Sequence, residues 1–110
     1  MRAARPSVVV HCVISPDRAS QPALIGFVVS KAVGNAVTRN LVKRRMRAVM
    51  RAWLKTHDVD VMGAVLVIRA LPAMGKLPFD QLNDDVTGTV HTALKRCMAH
   101  ESRPGRVETR

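Results

Sequence analysis

Asn40, Arg44, Arg47 and Arg51 recur at spacings of 4, 3 and 4. At 100° per residue that spacing puts all four on one face of a helix, with Arg39 and Lys43 on its shoulder. A guanidinium presents a planar fork of donors that matches phosphate oxygens, so a row of them suits gripping a polyanion rather than breaking a bond. No Asp or Glu lies between Lys31 and His57. The cations therefore lack partners on the helix and repel one another until something external neutralises them. An ordinary solvated face mixes both signs. This one is built for nucleic acid.

Other residue types with chemical potential are scattered. His11, His57, His91 and His100 show no H-x-x-x-H or H-E-x-x-H spacing, so each reads as a packing or surface histidine. Asp84 and Asp85 are adjacent and diverge on a helix, which makes a poor metal pair, and Asp58 and Asp60 flank a strand start as turn acids do. Lys31 and Gly34 are not part of a G-K-[ST] phosphate loop. Cys12 and Cys97 belong to no C-x-x-C unit and read as small buried hydrophobes. Trp53 continues a core stripe and reads as packing. No constellation of catalytic or metal-ligating residues emerges.

The elements that must position the cationic face follow from periodicity. Ser7–Ser15 is β-branched and reads as a strand, with a turn at Pro16-Asp17-Arg18. Ala23–Ser30 reads as a second strand, and the two are expected to form an antiparallel hairpin with a long connection. Gly34 allows a tight turn and Asn35 caps the basic helix. Val42, Met46, Val49 and Trp53 form the apolar stripe of that helix, opposite the cations, and the helix fades at Lys55–Asp58. Val59–Ala70 reads as a third strand, whose continuously apolar part, Ala64–Ile68, is expected to be covered on both faces. After a loop broken by Pro72, Gly75 and Pro78, a second helix runs from Phe79 to His100, with Leu82, Val86, Val90, Ala93, Leu94 and Cys97 on its apolar side. The order β-β-α-β-α predicts an α+β sandwich, one domain over residues 1–100, followed by a flexible tail over 101–110.

Composition agrees with a nucleic-acid partner. The 110 residues carry 18 Lys and Arg against 8 Asp and Glu, a formal charge of +10, which favours a polyanion. Aromatics are only 3%, too few for a sheet that reads bases mainly by stacking. No apolar run approaches a membrane span and no signal peptide opens the chain, so a cytoplasmic location is expected.

The stretch Ser30–Arg47, SKAVGNAVTRNLVKRRMR, closely resembles the signature of the bacterial ribonuclease P protein subunit, S-K-x-x-G-N-A-V-x-R-N-x-x-K-R-x-x-R. Ser30, Lys31, Gly34, Asn35, Ala36, Val37, Arg39, Asn40, Lys43, Arg44 and Arg47 match it, and weaker similarity extends from Val8 to Met98. The resemblance implies a left-handed crossover around the basic helix, as in a ribosomal-protein fold, where periodicity alone would predict the usual right-handed one. It implies that an RNA subunit cleaves the 5′ leader from precursor tRNA with bound Mg²⁺, and that the protein supplies no catalytic residue and no dedicated metal site. It implies RNA-binding roles for Lys31, Asn35, Arg39, Asn40, Lys43, Arg44 and Arg47, which Arg51 extends on the same face. Asn amides of this kind also help to hold metal in the family. Partners would be the RNA subunit, at one to one, and precursor tRNA.

By the same resemblance, a cleft between sheet and basic helix takes the leader, lined by whichever of Val10, His11 and Cys12 face inward. The chain departs from the family at its front. Met1-Arg2-Ala3-Ala4-Arg5 resembles the end of a segment that in the family includes a helix packed on the sheet. That helix is expected to be absent and part of the sheet to lack its cover. Three other classes fit less well. A free-standing helix-turn-helix binder would not demand G-N-A-V-x-R-N, and a membrane-surface protein would need its apolar stripe free. A protein-only nuclease would need clustered carboxylates.

Overall fold

The computed structural model describes residues 1–57 and 61–101. Four strands, β1 (Arg2–Arg5), β2 (Val8–Ile14), β3 (Leu24–Val29) and β4 (Ala64–Ala70), form a mixed sheet in the order β1-β2-β4-β3. Helix α1 (Ala36–His57) connects β3 to β4, and α2 (Phe79–Glu101) closes the described chain. The fold is α+β, as the element pattern predicts.

Two expectations about strand pairing are corrected. β2 and β3 do not form a hairpin: β4 lies between them, antiparallel to β2 and parallel to β3. The 3₁₀ turn Pro16–Arg18 and the loop after it reach across instead, held where Ser15 N–H donates to Gly63 O and Gly63 N–H to Gln21 O, 3.0 and 2.9 Å. Gly63 has φ +82°, and a Cβ there would sit 3.1 Å from Ala19 Cα. This left-handed turn is why β4 starts at Ala64 rather than at Val59; residues 58–60 lie outside the described ones. The second correction is β1. The short basic opening is a strand, joined to β2 by the two-residue turn Pro6-Ser7 with Arg5 opposite Val8. Its sequence, RAAR, lacks the β-branched residues that mark strands, and pairing with β2 supplies what propensity does not.

The core lies on one sheet face. Val8, Val10 and Cys12, with Leu66, Ile68 and Ala70, pack under the α2 stripe of Leu82, Val86, Val90, Ala93, Leu94 and Cys97 and the α1 stripe of Val42, Met46, Val49 and Met50. The run Ala64–Ile68 is not covered on both faces as expected. Ala64, Leu66 and Ile68 are buried, whereas Val65 and Val67 are only partly so. The opposite face carries Val13 and Leu24, 59% and 51% exposed. Cys12 and Cys97 are buried free thiols. Burial first, and then the neighbouring Cys97, push Cys12 up to about 12, so it stays an inert thiol.

One polar cluster pins the β1–β2 turn to α2. Ser7 Oγ–H donates to Asp85 Oδ2 at 2.6 Å, Gln81 Nε2–H donates to Oδ1 at 2.9 Å, and Arg5 lies 3.5 Å from Oδ1. Ser7 chiefly, then Gln81 and Arg5, hold the Asp85 carboxyl below its ordinary value against the opposing effect of burial. A depressed folded value stabilises fully above the unfolded carboxylate value, about 3.9, and the contribution is lost as pH falls through the folded one. Asp85→Asn is therefore expected to cost about 1 kcal/mol at neutral pH. It should also flatten the fall of the urea midpoint below about pH 4. Identical acid limbs in both proteins would show that Asp85 is not the linked group.

Candidate nucleic-acid interface

The cationic helix begins where the chain turns out of β3. Val29 leads through the 3₁₀ turn Lys31–Val33 to Gly34, where an added Cβ would lie 2.9 Å from Thr38. Asn35 Oδ1 then accepts the Thr38 backbone N–H at 2.9 Å, the predicted cap, which contributes about 1 kcal/mol. That oxygen is committed to the helix, and the amide NH₂ remains for an external acceptor.

Along α1 the two faces separate as the spacing predicts. Val42, Met46 and Val49 are buried, while Asn40, Arg44, Arg47 and Arg51 are exposed and Arg39 and Lys43 half-buried. Among the described residues, Arg39 Nε is buried without a hydrogen-bond partner. Lys31 is exposed in the turn that precedes the helix. Arg45 points elsewhere, and its guanidinium donates to Leu77 O at 3.4 Å, tying α1 to the loop before α2.

Between α1 and the edge strand β3 runs an open groove of about 510 Å³, lined by Ile25, Phe27, Lys43, Arg47, Met50, Arg51 and Leu54. It brings three of the predicted cations together over an apolar floor. The strand that contributes to it is β3, not β2, which corrects the expected lining. Val10 and Cys12 are 0% exposed in the core; Cys97 Sγ–H donates to Cys12 O at 3.6 Å. His11 alternates to the opposite, exposed sheet face. Ile25 and Phe27 went unrecognised because an alternating strand looks the same whether its apolar side meets a helix fully or leaves a gap.

Among the described residues, no three His, Cys, Asp or Glu come together as a metal site. No described helix is long and apolar enough to cross a membrane.

These features define a class, a small α+β domain whose central helix is cationic over its exposed face and flanked by an open groove. Residues 1–94 match the family model described as Ribonuclease P. The chain is 45% identical over 85 residues to the ribonuclease P protein component of Pseudarthrobacter chlorophenolicus, covering 77% of this chain and 60% of that protein. It is 40% identical over 110 residues to that of an Arthrobacter species, covering all of this chain and 77% of the relative. Its fold is similar to the Staphylococcus aureus ribonuclease P protein, with a TM-score of 0.73 at 22% identity over 84% of this chain and 80% of that one. The chain belongs to the bacterial ribonuclease P protein family.

Proposed function

We propose that this chain is the RNA-gripping subunit of ribonuclease P, binding the catalytic RNA one to one together with the 5′ leader of precursor tRNA. It thereby supports Mg²⁺-dependent removal of the leader in the cytoplasm. The observation that carries this reading is the one-sign face of α1 beside a groove that has cations on one wall and Phe27 and Ile25 on the other. Asn40 and Arg44, exposed outside the groove, together with Lys31, Asn35 and Arg39, meet the RNA subunit. Lys43, Arg47 and Arg51 offset phosphate repulsion where leader and catalytic RNA converge. The groove's apolar residues contact leader bases with little sequence preference. In this reading Mg²⁺ is held mainly by the RNA and the substrate, not by a dedicated protein site.

Reconstitution tests it. The chain is mixed with a bacterial ribonuclease P RNA and precursor tRNA at low Mg²⁺, with each component alone as control. Leader removal is expected to be strong only in the mixture and absent with protein alone. Cleavage by RNA-free protein that disappears on mutating an Asp or His of this chain would overturn the proposal.

A further inference from the structure

A second groove lies where the C-terminal ends of the two helices meet, about 200 Å³ in volume and lined by Trp53, His57, His91, Leu94, Lys95 and Met98. Its wall on α1 is a preformed aromatic surface. The Trp53 and His57 rings stack with centroids 4.2 Å apart and planes within 4°. His57 does not depend on that stacking for its orientation, because its Nδ1 bonds Trp53 O and Thr56 Oγ1, each at 2.9 Å. Since a carbonyl can only accept, the Nδ1–H donates to Trp53 O. The wall from α2 adds His91 and Lys95, both exposed.

We infer that this groove holds one unpaired nucleobase of the RNA that the protein binds, with Lys95 taking the attached phosphate. The inference rests on the RNA-binding reading above and adds a contact on the other flank of α1, separate from the cationic face. A flat π surface with apolar sides suits any base, since every base has a π face. The cationic rim suits the phosphate and disfavours basic partners. A second copy of this chain is a poor occupant because each carries a formal charge of +10.

Trp53 is the single tryptophan of the chain, so its emission reports on the groove directly. The full chain is titrated with a fluorescently labelled single-stranded oligoadenylate, reading label anisotropy for binding and indole emission for stacking. Emission is expected to fall in step with the anisotropy rise. His57→Ala, with fold checked by circular dichroism, should weaken affinity about tenfold without changing the salt slope, as loss of a stacked base does. Lys95→Ala should instead lower the slope by about one, as loss of a phosphate contact does. Anisotropy that saturates while Trp53 emission stays flat would overturn the groove assignment and leave the RNA-binding reading standing. Absence of binding to the oligoadenylate and to ribonuclease P RNA alike would remove both.

Discussion

Alanine at both Arg44 and Arg47 is expected to weaken binding to ribonuclease P RNA about a hundredfold while leaving the protein folded. Each guanidinium lost from a phosphate removes a charge-assisted hydrogen bond, about 1.5 kcal/mol apiece at the lower end. If six cations contact phosphate, log K should fall with log salt at a slope of roughly −4 on single strands and about −5 on duplex for the unmodified protein. The double variant should be shallower by between one and two, because counterion release scales with the contacts made. Both side chains are exposed and lie opposite Val42, Met46 and Val49. Removing them also relieves like-charge repulsion from Lys43 and Arg51 one turn away, so the urea midpoint should rise slightly. Titrations at several salt concentrations, set beside denaturation curves, decide the matter. An unchanged affinity and an unchanged slope would mean that the RNA docks elsewhere.

Met46→Ala, adjacent to Arg47 in sequence, should do the reverse. Met46 is 0% exposed, and truncating it leaves a cavity between α1 and the sheet. The expected cost is about 3 kcal/mol, a large part of the 5–15 kcal/mol that a domain of this size holds. Affinity for RNA per folded molecule should stay within about twofold, since no phosphate contact is lost. The test is urea denaturation together with RNA binding measured well below the variant's midpoint. Loss of affinity in the folded variant would show that the α1 faces are not independent.

The two faces of α1 were legible in the sequence because a helix imposes its period locally. Knowing that residues 36–57 are helical is enough to put Arg44 and Met46 on different sides. The Asn35 cap was legible for the same reason, as it spans three residues, and so was the buried stripe from Leu82 to Cys97. What the sequence could not decide were the non-local choices. That β4 inserts between β2 and β3 depends on backbone hydrogen bonds across the sheet, which leave no mark on side-chain alternation. Alternation placed Val10 and Cys12 together and His11 opposite, but not which side the helices would cover. Of the supposed cleft residues Val10 and Cys12 are therefore core and His11 lies on the other sheet face, and the groove is lined from β3. The Ser7–Asp85 bond joins residues 78 apart, and the second groove needs α1 and α2 to end side by side. Tertiary packing alone set these, because burial and contact between distant residues are properties of the whole fold, whereas facing is a property of each helix or strand.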